Sequence, residues 1–147
     1  MDKTDRLRIL RFPARAYQLK ELRCIVHSAM KQLGCGQMDT DKIVLAINEA
    51  CMNVIQHAYA DNRGGEIILE IFDVPHGVLF RLRDFAEAVD ECRIQSRDLD
   101  DIRPGGLGVH IIHEVMDSVE FKRPAEGKGN ILEMRKRLAC KEEQHED

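Results

Sequence analysis

There is no tryptophan in this chain, only two tyrosines, and no apolar run near the ~20 residues a membrane-crossing helix needs. So few aromatics leave little for a base-stacking platform. With a net charge of −4 and no basic block, direct nucleic-acid binding is not expected. The five cysteines (Cys24, Cys35, Cys51, Cys92, Cys140) are odd in number and scattered, and none form a Cys-x-x-Cys pair. That pattern argues against a disulfide framework or structural zinc and for reduced thiols in a cytoplasm. The stretch Met1-Asp2-Lys3-Thr4-Asp5-Arg6 carries no apolar signal core. The expectation is a cytoplasmic protein that does not engage a membrane.

What is present is ordinary globular material. The chain has 147 residues, 44% hydrophobic and 33% charged. One domain over residues 1–147 is expected, able to bury roughly 68–70% of its unfolded surface without a covalent staple. Its core is expected over about 7–138.

Hydropathy periods divide the chain into elements. Residues 6–12 alternate and read as a short edge strand. Pro13 is then expected to open a helix, since its missing N–H costs nothing in a first turn. Leu19, Leu22, Val26, Ala29 and Leu33 step by three and four along it, and Gly34 and Gly36 stop it. A second helix opens near Asp39-Thr40-Asp41, where acids suit the helix dipole, and runs to about Ala60. Residues 66–72 and 78–83 alternate around the turn Asp73-Val74-Pro75-His76-Gly77, a hairpin ending at Asp84. Residues 85–105 show neither period, and a loop that long usually serves as a functional lid. A third helix follows over about 108–116. Residues 119–121 and 131–138 form a last hairpin, and 140–147 is a charged tail expected to fray. The order β-α-α-β-β-lid-α-β-β implies an α/β (α+β) two-layer sandwich. Its mixed, mostly antiparallel sheet of about five strands has three helices on one face.

The second helix holds the most informative stretch, Asn48-Glu49-Ala50-Cys51-Met52-Asn53-Val54-Ile55-Gln56-His57-Ala58-Tyr59. Glu49, Asn53 and His57 fall at i, i+4 and i+8, one face of a helix whose other faces are apolar. A carboxylate there can take a proton from a hydroxyl, and a carboxamide oxygen can ligate a hard cation such as Mg²⁺. His57 reads as a helix-face histidine packed beside the site rather than as a base.

Pro104-Gly105-Gly106-Leu107-Gly108 follows the long loop and opens a helix. Glycines let a backbone approach an anion, and a helix N-terminus offers free N–H groups, which is phosphate-binding logic. No Gly-Lys-Ser/Thr follows, so this is not a Walker A loop, and no strand directly precedes it as a Rossmann fingerprint requires. Arg103 is placed to meet a phosphate or to be a solvated lid residue. Asp84, taken alone, is a turn carboxylate. His110 and His113, with Glu114, lack the spacing and third ligand of a metal site and read as surface or half-buried histidines. No glycine-flanked serine suggests a nucleophile elbow.

Taken in order, these parts resemble the GHKL (Bergerat-fold) ATPase superfamily. More closely, they resemble the anti-sigma-factor serine/threonine kinases of bacterial partner switching, the RsbW/SpoIIAB type. Glu49 to Tyr59 resembles that family's N-box. Phe12-Pro13-Ala14 and the run Arg97-Asp98-Leu99-Asp100-Asp101-Ile102-Arg103-Pro104-Gly105-Gly106-Leu107-Gly108-Val109-His110 also look typical. The similarity covers about residues 7–138.

The resemblance implies an ATP-dependent protein kinase using Mg²⁺. Glu49 would activate the acceptor hydroxyl, Asn53 ligate Mg²⁺, and Asp84 accept the adenine amino hydrogen bond. Ala86 stands in the place of a small residue at the nucleotide. Arg103, Gly105, Gly106, Leu107 and Gly108 would lie beside the phosphates. It further implies a STAS-domain anti-anti-sigma protein as substrate, a sigma factor or other target as captive, and a PP2C-type phosphatase in the same circuit. A homodimer is a further implication. The chain departs from the pattern at Ala86-Glu87-Ala88, where Glu87 adds negative charge, and at Pro104, which displaces the phosphate arginine to Arg103. These departures motivate the alternative of a partner-switching module that binds nucleotide weakly or not at all. A sensor-histidine-kinase reading is weaker, for want of a dimerisation helix with its phosphoacceptor histidine.

Overall fold

The computed structural model describes residues 4–57, 65–86, 107–125 and 129–141. Strand β1 (Asp5–Pro13) leads through a single 3-10 turn, Ala16–Gln18, into α1 (Leu19–Gln32) and α2 (Gln37–His57). The hairpin β2 (Glu66–Val74) and β3 (Gly77–Asp84) follows, then α3 (Leu107–Val115), β4 (Ser118–Lys122) and β5 (Asn130–Arg137). The strands form one sheet in the order β1-β2-β3-β5-β4. All the described strand pairs are antiparallel, where a mixed sheet was expected.

Pro13 does not open a helix. It ends β1 opposite Glu66, and the Ala14 N–H carries the pairing on to Gly65 O at 2.8 Å. A proline without an N–H is equally harmless on an edge strand, and β1 is an edge. Phe12 and Ala14 are buried there, and that anchorage sets the chain's direction before α1 begins six residues later, at Leu19.

The stop of α1 is as its glycines predict. Gly34 takes a left-handed φ of 81°. Its N–H bonds Lys31 O at 3.0 Å while the Cys35 N–H bonds Met30 O at 3.0 Å, the paired closure of a Schellman motif.

One face of the sheet carries the core. Ile67, Leu69 and Ile71 of β2 alternate inward and join Val78, Phe80 and Leu82 of β3 and Met134 of β5. The helices cover that face with Leu22, Val26, Ala29 and Met30 of α1, Ile43, Ala46, Ile47, Ala50 and Cys51 of α2, and Ile112 of α3. Each large apolar side chain so buried stabilises by about 1.5–3 kcal/mol. Helix α2 packs against both α1 and α3, so it is the middle of the helical layer.

The opposite face bears a charge ladder. Glu133 of β5 is 5% exposed, yet accepts hydrogen bonds of 2.8 Å from Arg81 Nε and 2.8 Å from Lys122 Nζ. Glu120 stands directly opposite Glu133, and Lys122 also reaches it at 3.6 Å, which offsets the like-charge pairing. On the other side, Glu70 takes Arg6 at 3.1 Å and Arg81 at 3.8 Å.

The start of the expected tail is docked, not frayed. Lys141 Nζ donates to Asp73 Oδ1, to Val74 O at 2.8 Å and to Gly77 O at 2.6 Å, gripping the β2–β3 turn. Cys140 Sγ lies 3.5 Å from Leu33 O. Residues 142–147 are outside the described residues.

Candidate nucleotide site

Asp84 closes β3 at one end of the sheet. Its register partners are Ile67 on β2 and Asn130 on β5. Alternation points it to the helical side with Leu82 and Phe80, and it is 5% exposed. Asp84 is a turn carboxylate that is buried and held rather than solvated. Its Oδ1 accepts the Ala86 N–H at 3.0 Å, a turn closed by an aspartate on the residue two ahead. The same oxygen accepts Asn130 Nδ2 at 3.0 Å. Burial pushes the carboxyl pKa above its ordinary value; hydrogen bonds from Asn130, from Ala86 and from the Asn130 backbone pull it back only in part. Arg83 and Phe85, on either side in sequence, stack on each other at 4.8 Å.

Gly129 makes this junction possible. Its φ is +125°, and a Cβ there would stand 2.1 Å from Asp84 O. Only a glycine lets the start of β5 come this close to the end of β3.

Glu49 and Asn53 lie in the C-terminal half of α2, both half-buried. Each follows a buried alanine by three residues, Ala46 and Ala50, so both flank the stripe that packs on the sheet. Asn48 beside them accepts a 3.0 Å hydrogen bond from Arg23 of α1. The chain leaving α2 re-enters the sheet at Glu66, one residue from the Ile67–Asp84 pair.

Helix α3 begins at Leu107, within the glycine motif. Leu107 and Gly108 of that motif are thus helical. Arg103, Gly105 and Gly106, the departures Glu87 and Pro104, and most of the expected lid lie outside the described residues. His110 and His113 are exposed, as is Glu114. Among the described residues no cluster of three or more His, Cys, Asp or Glu side chains could hold a metal.

One polar member of the site is absent from the sequence reading: Asn130. The signal was there. Asn130, Leu132 and Met134 share a face, so the inward alternation of β5 starts one residue earlier than the apolar pattern alone suggests. A carboxamide at an inward position, 3% exposed, calls for a buried partner.

A family model described as the histidine kinase-like ATPase domain matches residues 12–136. The chain belongs to the histidine kinase-like ATPase family. The serine-protein kinase RsbW of Halalkalibacterium halodurans is 33% identical over 135 residues, covering 86% of this chain and 80% of that protein. The RsbW of Bacillus cereus strain AH820 is 28% identical over 120 residues, covering 76% and 74%. Among solved structures, one chain of the SiaB–SiaC complex of Pseudomonas aeruginosa superposes with a TM-score of 0.60 at 12% identity, covering 89% of this chain and 89% of that one. The histidine kinase domain of the Erythrobacter litoralis EL346 blue-light-activated histidine kinase gives 0.53 at 17%, covering 92% of this chain and 66% of that one. These likenesses establish the fold.

The residues of this histidine kinase-like ATPase suit a magnesium nucleotide. Mg²⁺ in phosphoryl transfer keeps waters and phosphate oxygens and needs only one or two protein ligands, so a lone carboxamide oxygen is an adequate donor set and a three-acid cage is not required. Asp84, buried with its neighbouring donors fixed, suits a hydrogen-bonding base.

Proposed function

We propose that this chain is an ATP-dependent serine/threonine protein kinase and an anti-sigma, partner-switching regulator. The observation that carries the reading is the buried Asp84, held at the sheet end where β2, β3 and β5 meet, on a chain 33% identical to a serine-protein kinase. In this reading Asp84 accepts a hydrogen bond from the adenine amino group. The N–H groups at the start of α3, with Gly105, Gly106, Leu107 and Gly108, receive the phosphates, and Arg103 neutralises their charge. Asn53 turns its carboxamide oxygen to the magnesium ion, which supplies charge neutralisation on the phosphates when bound. Glu49, one helical turn before Asn53, takes the proton from the attacking hydroxyl. Ala86 fixes Asp84 through its N–H and leaves room for the base.

The substrate in this proposal is a serine or threonine of a STAS-domain anti-anti-sigma protein. Unphosphorylated, that protein occupies the kinase; phosphorylated, it releases the kinase to hold a sigma factor or another target. A PP2C-type phosphatase resets the cycle, and the kinase works as a homodimer. The test is transfer of label from γ-³²P-ATP with Mg²⁺ to a STAS-domain protein of the same genome, with an acceptor-to-alanine variant as control. Label on the first and none on the second is expected. ATP binding without transfer to any STAS protein of that genome would overturn the kinase reading and leave a binding module.

A further inference from the structure

We propose that Asn130 is a positioning residue that makes the site select 6-amino over 6-oxo purines, by filling Asp84 Oδ1 and fixing the direction of the other carboxylate oxygen. The inference rests on Asp84 reading the base, as proposed above.

The geometry is specific. A carboxylate oxygen has about two acceptor positions. Asp84 Oδ1 already takes the Ala86 N–H and Asn130 Nδ2, each at 3.0 Å, and the Asn130 backbone N–H is a third donor to the carboxylate, so the acceptor position left for a base is on Oδ2. Asn130 is itself 3% exposed and comes from a strand 46 residues away, so this contact belongs to the assembled sheet rather than to a local turn. Gly129 exists at that point to allow it, since any side chain would collide with Asp84 O.

The chemistry follows from what each form of the acid can do. An ionised carboxylate only accepts, so it pairs with a 6-amino group and repels a 6-oxo group. A protonated acid donates as well and would tolerate the 6-oxo base. Burial favours the protonated form, and the donors around Asp84 oppose it. Among the described residues, no charged side chain enters that balance. Ile67 faces Asp84 from β2 and Asn130 from β5, and Glu49 of α2 does not contribute. Selection therefore hangs on neutral donors, and Asn130 supplies the one side chain among them.

The test uses the whole chain and an isosteric pair. Asn130→Val and Asn130→Thr share shape and strand preference and differ in one hydroxyl donor. Calorimetry with ATP and with inosine triphosphate, both with Mg²⁺, gives the preference ratio. Titration of ¹³C-labelled aspartate, assigned with Asp84→Asn, gives the Asp84 midpoint without nucleotide. In Asn130→Val the ATP preference should fall ten-fold or more, and the midpoint should rise by about one pH unit, as loss of a donor to a charged group implies. Asn130→Thr should stay near the wild type in both. Equal behaviour of the two variants, or a wild-type ratio in Asn130→Val, overturns the inference while ATP binding itself stands. Wild-type protein that binds neither nucleotide overturns the reading of the site, and nucleotide selection with it.

Discussion

Asn130 Nδ2 and Asp84 Oδ1 lie 3.0 Å apart across the β3–β5 ladder, a buried polar pair at the edge of an otherwise apolar core. The pair satisfies the carboxylate without neutralising it. Asp84 remains raised above the ordinary carboxylate range, with burial the leading cause. A carboxyl group whose folded pKa is raised contributes stability below its unfolded pKa and loses it as pH rises through the folded value. At neutral pH Asp84 therefore costs stability. Asp84→Asn, whose Oδ1 can still accept both donors, should melt no lower than the wild type at pH 7. Any advantage should shrink as pH falls through the raised folded value and be gone below about 4. Scanning calorimetry at both pH values checks it.

Glu49 and Asn53 sit on one face of α2 and are assigned different tasks. Glu49→Gln should keep MgATP affinity within about two-fold and slow phosphotransfer by 10²-fold or more, the usual worth of a positioned base. Asn53→Ala should remove the magnesium-dependent part of binding. Stopped-time phosphotransfer assays and titrations with and without Mg²⁺ separate the two. Full transfer by Glu49→Gln would place the base elsewhere.

The open face of the sheet responds to acid in the opposite sense to Asp84. Burial works to raise the Glu133 pKa, but hydrogen bonds from Lys122 and Arg81 outweigh it and hold the group below its ordinary value. Its stabilisation is thus complete above the unfolded pKa and lost as pH falls through the folded one. Glu133→Gln should cost about 1–2 kcal/mol at pH 7, between an exposed and a fully buried pair, and should flatten the acid limb of the stability curve. Urea denaturation between pH 3 and 7 reads both.

Lys141 locks the β2–β3 turn with three acceptors. Lys141→Met keeps the apolar stem and removes the ammonium, leaving Asp73 and two carbonyls to water. A loss of about 1.5–3 kcal/mol is expected, the range for a hydrogen bond to a charged group. The midpoint of urea unfolding measures it, and nucleotide affinity should not change.

Periodicity alone revealed the sandwich. The 3–4 stepping of Leu19, Leu22, Val26 and Ala29 and the alternation of Ile67, Leu69 and Ile71 are strong because one face of each element must be buried. Pro13 misled because proline is tolerated at a helix start and on an edge strand alike, and only pairing with Glu66 decides between them. The tail looked free because its charge is visible in sequence while two of the three acceptors of Lys141, Val74 O and Gly77 O, are backbone groups of a distant turn. Glu49 and Asn53 stood out as polar groups on an apolar helix, whereas Asp84, alone a turn carboxylate, took its role from the family resemblance. Asn130 did not, because its meaning depends on a strand order, β3 beside β5, that no local pattern encodes.

The central claim is that the Asp84 end of this sheet is a magnesium-nucleotide site. Calorimetric titration of MgATP into the wild type, Asp84→Asn and Asn53→Ala tests it most directly. One saturable site in the wild type, lost or weakened at least ten-fold in both folded variants, is the predicted result. Wild-type affinity in Asp84→Asn, or no heat of binding from the folded wild type, would contradict it.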